Sequence, residues 1–380
     1  MLQEELNAYK KKEKNKKSKV YDNNNINEGD FIENKFKLIL NENIIKDQNL
    51  IKENLKKDIL DYQKFVKRHS EKNEEMNKKI LEKIQNNINK INTDFKAKLY
   101  GSRATNLSLM WSDIDIVIIK DSKNDENNNI VETKYDFLQK LYEYLNEDVS
   151  FVENIKYINK AKVPIIKIKA SKEYDNVMID ITIQTKEHFG LKCVNLVKKL
   201  IQKYEHLEPL LFPLKTLLKI SELNDPYNGG LSSYALILMI VNFLEKYKKI
   251  NMYDNNNIGN LFYQFLYFYG GRLDTNYIDF NNTGNNTKIN KSPFICIIDP
   301  LNKDNNVTKS SFKFFDIKFL FLMALQIINE PCFCGCHYNL NKNGQAQNNK
   351  INENFCECNL LNKIFFGIKR GKPNYSFNKK

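Results

Sequence analysis

The chain has 380 residues, with 59 lysines and arginines against 46 aspartates and glutamates, for a formal charge of +13. That length fits two domains plus tails at roughly 150 residues per domain, and the charge favours a polyanionic partner such as nucleic acid, nucleotide or membrane surface. The 42% apolar share excludes a wholly disordered chain. Its 13 glycines and 8 prolines are about half the usual ~12%, which argues for a helix-rich fold over a turn-rich all-β sandwich. No run of about 20 apolar residues occurs, so no membrane span is expected. The first twenty residues are lysine-dense without the apolar stretch of a secretory signal. The seven cysteines therefore read as reduced thiols or metal ligands, not as a disulfide framework.

Lys10 to Lys19 holds seven lysines and one glutamate, and an asparagine-rich stretch follows. Residues 1–45 are read as a disordered basic arm, which either tethers RNA, directs nuclear import or reflects biased base composition. From Leu55 the pattern changes. Leu55, Ile59, Tyr62, Phe65 and Val66 recur at helical spacing, then Met76, Ile80, Ile84 and Ile88 at intervals of four. The periodicity predicts two amphipathic helices parted near His69 to Asn73. The first, within residues 46–80, is expected to pack on a central domain.

Short β-rich runs follow at residues 98–100, 114–119, 163–170 and 177–183, with an amphipathic helix at 135–145. Residues 81–189 therefore read as a compact α/β domain. Helical patterns return at 194–204, 210–223, 232–247 and 260–269, predicting a mainly helical domain over residues 190–331. Asparagine-rich stretches at 255–257, 281–290 and 339–354 are read as surface loop expansions. Residues 332–380 are a Cys/Asn-rich insertion and C-terminal segment.

The chemistry concentrates between Tyr100 and Ile119. A strand running into Gly101-Ser102 and a short helical turn presents backbone N–H groups and a hydroxyl to an anion. Asp113 and Asp115 stand two apart on an apolar strand, so both carboxylates emerge on one face. Such anions repel unless cations neutralise them, and hard divalent ions with oxygen ligands are the natural partners. Asp180, alone among the β-branched residues of 177–183, supplies a third carboxylate for a two-metal site.

Gly101-Ser102, then Ser112-Asp113-Ile114-Asp115, then Asp180 resemble the DNA polymerase beta-like nucleotidyltransferase superfamily. Three further stretches look like the central domain of template-independent poly(A) RNA polymerases of the nuclear RNA-surveillance (TRAMP-like) type. They are Pro209 to Lys219, Gly229-Gly230-Leu231-Ser232-Ser233-Tyr234, and Asp299-Pro300-Leu301 with Asn305-Asn306-Val307. The resemblance runs from about Leu55 to Leu325. It implies an α/β catalytic domain with a mixed sheet, plus a mainly helical central domain carrying a nucleotide recognition loop.

The same resemblance implies transfer of AMP from ATP to an RNA 3′ end, with Asp113, Asp115 and Asp180 catalytic and holding Mg²⁺ or Mn²⁺. Nucleotide binding falls to Gly101, Ser102, Lys215, Lys219, Ser233, Tyr234, Asp299 and Asn305. Lys215 and Lys219 are i, i+4 on one helix, so both ammonium groups reach one triphosphate unless they are a solvated basic face. Ser233 and Tyr234 open a helix and offer a hydroxyl for phosphate and a ring for base stacking. Uridylyl-adding relatives typically carry histidine where Asn305 aligns, which favours ATP. Uridylyl-adding and cytoplasmic adenylyl-adding relatives usually show Asn-Thr where Cys193-Val194 aligns, a departure that groups the chain with the surveillance type. Asn106 replaces a usual glycine and can hold the same left-handed turn. Asn306 replaces a frequent aspartate.

A uridylyltransferase, and an inactive RNA-binding scaffold on the same fold, remain the alternatives. No RNA-recognition module is evident, so a separate RNA-binding or helicase partner is expected, with no membrane partner and a nuclear compartment, the alternative being cytoplasmic. Cys332, Cys334, Cys336, His337, Cys356 and Cys358 could hold structural zinc. Cys-x-Cys spacing suits one ion less well than Cys-x-x-Cys, so free thiols in a loop insertion are the favoured reading. His69, His188 and His206 are read as surface or packing residues.

Overall fold

The computed structural model describes residues 48–120, 130–161, 163–185, 189–250, 257–271, 277–280, 295–329 and 359–370. The basic arm, the cysteines between 332 and 358 and the asparagine-rich stretches 281–290 and 339–354 lie outside the described residues.

The first element, α1 (Gln48–Ile91), is one uninterrupted helix of 44 residues where two were expected. The segment contains no glycine or proline, so nothing in the polar stretch His69 to Asn73 stops backbone hydrogen bonding from propagating. What changes there is the partner. Ile80, Ile84 and Ile88 are fully buried against the sheet, each worth about 1.5–3 kcal/mol of transfer free energy. Leu55, Ile59 and Val66 are buried on the helical side instead, where the Tyr62 hydroxyl meets Thr216 Oγ1 at 2.7 Å.

After α1 come β1 (Phe95–Tyr100), a one-turn helix α2 (Gly101–Ala104), β2 (Ile114–Lys120), α3 (Ile130–Glu147), β3 (Val152–Ile158), β4 (Ile165–Ala170) and β5 (Met178–Ile183). The strands form a mixed sheet in the order β1-β2-β5-β4-β3, in which only β2 and β5 run parallel. Ile116, Ile118, Ile166, Ile168, Ile179 and Ile181 point to the face covered by α1 and α3. Alternation then puts Asp115, Asp180 and Lys167 on the opposite face. Strand β3 was not legible in advance. A register shift between Val152 and Asn154 breaks its period of two, and as an edge strand it carries Glu153, Asn154 and Lys156 outward.

The second half contains α4 (Gly190–Lys203), α5 (Leu207–Ile220), α6 (Ser233–Ile250), α7 (Ile258–Gly271), α8 (Phe314–Asn329) and α9 (Leu360–Arg370). It also contains a small sheet of β6 (Tyr277–Asp279), β7 (Cys296–Asp299) and β8 (Asn302–Asn306). The expected recognition loop is therefore a β-hairpin. Asn257, assigned to a loop expansion, caps α7 by accepting from the N–H groups of Gly259 and Asn260. Gly259 lets α7 approach α1 closely, since a Cβ there would lie 2.0 Å from the Lys52 carbonyl oxygen. Helix α9 was not anticipated; Leu361, Ile364 and Ile368 bury one face, and Asp58 of α1 accepts from its first N–H groups, Leu360 at 2.6 Å and Leu361 at 3.4 Å. No helix among the described residues is long and apolar enough to cross a membrane.

Candidate active site

The site is built where the β1–α2 turn meets the starts of β2 and β5. Parallel pairing sets Asp115 beside Asp180, and antiparallel pairing on either side adds Tyr100 and Lys167, so one row across four strands reads Tyr100, Asp115, Asp180, Lys167. Asp113 precedes β2 directly and adds a third carboxylate. Gly101 has φ +65°, and a Cβ on it would lie 2.1 Å from Asp115 Oδ2. Only glycine satisfies both the left-handed backbone and that close approach. Asn106 has φ +58°, the left-handed turn expected of it.

Mutual repulsion is visible in the acids. Burial first, then the charges of Asp180 and Asp113, push the Asp115 carboxyl up to about 7. Burial and the Asp180 charge raise Asp113 as well, with Lys219, Lys167 and Arg103 opposing. The cations that offset this charge come from three elements. Lys167 Nζ donates to Asp180 Oδ2 at 2.6 Å. Arg103, in α2, is buried and donates from Nη2 to the Ser112 carbonyl at 2.7 Å, while its Nε has no partner. Lys215, in α5, donates to the Leu107 carbonyl at 2.7 Å, and burial lowers its ammonium to about 8 against the pull of Asp115.

A cleft of about 170 Å³ adjoins the acids, with Ser102, Asp113, Asp115, Lys215, Lys219 and Ser233 among its walls. Sequence reasoning placed all six in the site. Lys215 is 8% exposed and pins the loop before β2, so the two lysines are not a shared solvated face. Three other expected nucleotide contacts, Tyr234, Asp299 and Asn305, cluster around one carboxylate. Asp299 is 3% exposed, and its carboxylate accepts from Tyr234 Oη (2.9 Å), Asn305 Nδ2 (3.0 Å) and the Leu301 N–H (2.9 Å). The Cys193 thiol adjoins the Tyr234 hydroxyl, and burial with the Asp299 charge pushes it up to about 11. Asn306 does not face outward. Its Oδ1 accepts from Ile297 N, Thr308 N and Thr308 Oγ1, work that needs an acceptor and so is done by asparagine as well as by aspartate.

Arg103 and Lys167 were missed. Arg103 follows Gly-Ser directly, a usable signal; Lys167 alternates with isoleucines and looks like any solvent-facing strand lysine.

A mixed sheet with Gly-Ser in the turn after β1 and three acids at the starts of two parallel neighbours defines a nucleotidyltransferase palm of the DNA polymerase beta-like fold. Residues 55–202 match the family described as "Poly(A) RNA polymerase, mitochondrial-like, central palm domain", and that segment is a palm of this type. The poly(A) RNA polymerase gld-4 of Caenorhabditis elegans is 28% identical over 295 residues, 72% of this chain and 33% of that protein. The inactive relative Trf4-2 of Drosophila melanogaster is 27% identical over 230 residues, 56% of this chain and 53% of that protein. Both relatives are therefore longer, the chain spanning about a third to a half of each. The solved polymerase core of TRAMP, a RNA surveillance complex, shares the fold with a TM-score of 0.54 and 23% identity, over 68% of this chain and 83% of that one.

Proposed function

We propose that the chain is a template-independent RNA nucleotidyltransferase that adds AMP units from ATP to RNA 3′ ends. The observation that carries this reading is the convergence of Asp113 and Asp115 on a cleft walled by Ser102, Lys215, Lys219 and Ser233, with Asp180 paired in register beside Asp115. The donor set suits a hard divalent cation. Three carboxylates supply oxygen ligands, and their repulsion disfavours the row without added positive charge. Asp113, Asp115 and Asp180 would hold Mg²⁺ or Mn²⁺, which supplies charge neutralisation for phosphoryl transfer.

The chain's own groups complete the chemistry. The Gly101-Ser102 turn cradles the triphosphate, Lys219 adds positive charge at the cleft wall, and Lys215 holds the loop that carries Asp113 in place. Asp180 orients the 3′-hydroxyl and takes its proton. Tyr234, fixed through Asp299 and Asn305, offers the face on which the base stacks. A separate RNA-binding or helicase partner and a nuclear setting complete the reading, on the strength of the lysine run Lys10 to Lys19 and of the likeness to the TRAMP core.

Extension of an RNA primer with each of the four nucleotides in Mg²⁺ tests it. ATP-dependent tailing is expected. Preferred use of UTP would make the protein a uridylyltransferase. RNA binding without extension by any nucleotide would make it a scaffold, a reading that the inactive relative keeps in view.

A further inference from the structure

Two lysines on β4 differ in one respect. Lys167 and Lys169 lie two apart on the open face, and the side chain of each is 42% exposed. Lys169 pairs with Glu153 on the edge strand, whereas Lys167 reaches inward to Asp180, whose side chain is 15% exposed. Among the described residues, no three histidine, cysteine, aspartate or glutamate side chains converge as a preformed metal-ligand set. The Lys167 ammonium holds Asp180 Oδ2, an oxygen that such a set would need.

An ammonium on a flexible four-carbon stem is an exchangeable cation, unlike a fixed guanidinium fork. We propose that Lys167 is a resident counter-ion that neutralises Asp180 when no divalent ion is bound and yields its Oδ2 when one binds, thereby setting the metal affinity of the site. The proposal rests on the metal reading given above. Its two consequences run in opposite directions. Removing the ammonium leaves Asp180 beside Asp115 with less compensation, which weakens the metal-free fold. Removing it also takes away a positive charge that opposes an incoming dication, which tightens metal binding.

The test uses Lys167→Met, which keeps the apolar stem, Lys167→Arg, which keeps the charge, and Lys169→Met as the matched control. Mn²⁺ binding to the full chain without nucleotide is measured by calorimetry or electron paramagnetic resonance, and melting is measured in chelator. Lys167→Met is expected to bind Mn²⁺ about tenfold more tightly, the scale of one nearby charge at the effective dielectric of a half-exposed site. It should also melt about 2–4 °C lower in chelator. Lys167→Arg and Lys169→Met should stay near wild type in melting, and Lys169→Met in affinity. A wild-type protein without saturable Mn²⁺ binding would overturn the metal reading and this proposal with it. Wild-type binding with unchanged or weaker affinity in Lys167→Met would overturn the role of Lys167 alone.

Discussion

On the open face of the large sheet, Asp113, Asp115 and Asp180 crowd together with their charge only partly offset, whereas in the β7–β8 hairpin Asp299 is met by three donors. A buried carboxylate with full hydrogen bonding is settled, and it orders whatever donates to it. Crowded carboxylates are not settled, and they gain most from an added cation. The acid row and the hairpin thus rest on different physical footings in one molecule: one side is built short of positive charge, the other complete.

The largest test of that contrast is removal of a crowded acid. Asp113→Asn or Asp180→Asn should cut primer extension by about a thousandfold or more, at the upper end of what loss of one preorganised electrostatic group costs, with folding preserved by circular dichroism. Retained tailing would end the catalytic assignment. Next comes Gly101→Ala, which forces a Cβ onto Asp115 Oδ2. A loss of about a hundredfold in kcat is expected, with about 1–2 kcal/mol of stability lost to the left-handed backbone; a silent variant would show that the turn tolerates displacement of Asp115.

The third test is pH. Because the folded-state carboxyl of Asp115 sits at about 7, above an unfolded value near ~3.9, the folded chain binds more protons between those values. Stability in chelator should therefore fall as pH rises from about 4 to 7, on the order of 2 kcal/mol for this group after allowance for screening. Asp58, raised to about 6 by burial, adds to the same slope. Asp115→Asn should flatten its share in denaturant titrations across pH, and an unchanged slope would show that the repulsion is relieved otherwise. The smallest effect belongs to the settled side. Tyr234→Phe removes one of three donors to Asp299 and should cost about 1 kcal/mol, with KM for nucleotide rising more than kcat falls.

The acids were legible because a charged residue inside a β-branched run has few explanations, and Gly101-Ser102 because the turn that precedes them must bend sharply. What escaped was set by tertiary context. Lys167 carries no local mark, since its importance comes from cross-strand register with Asp180. Lys215 was read as reaching outward for a phosphate, and only the packed structure shows it anchored to Leu107. That residues 299–307 belong to a β-hairpin and not a loop escaped because β8, Asn302–Asn306, is wholly polar. The break expected in α1 escaped for the opposite reason: a polar interval looks like a boundary but marks only where the helix leaves one neighbour for another.

That uninterrupted helix has a mechanical consequence. At ~1.5 Å per residue, its 44 residues make a beam about 66 Å long, clamped to the helical region by Tyr62 and Asp58 and to the sheet by Ile80, Ile84 and Ile88. Any hinge motion that widened the cleft would have to bend this beam or peel it from one seat. Stiffness in the strut therefore sets how far α5, with Lys215 and Lys219, can travel from the acids of the sheet, and a proline at Lys72 would cut the two loose.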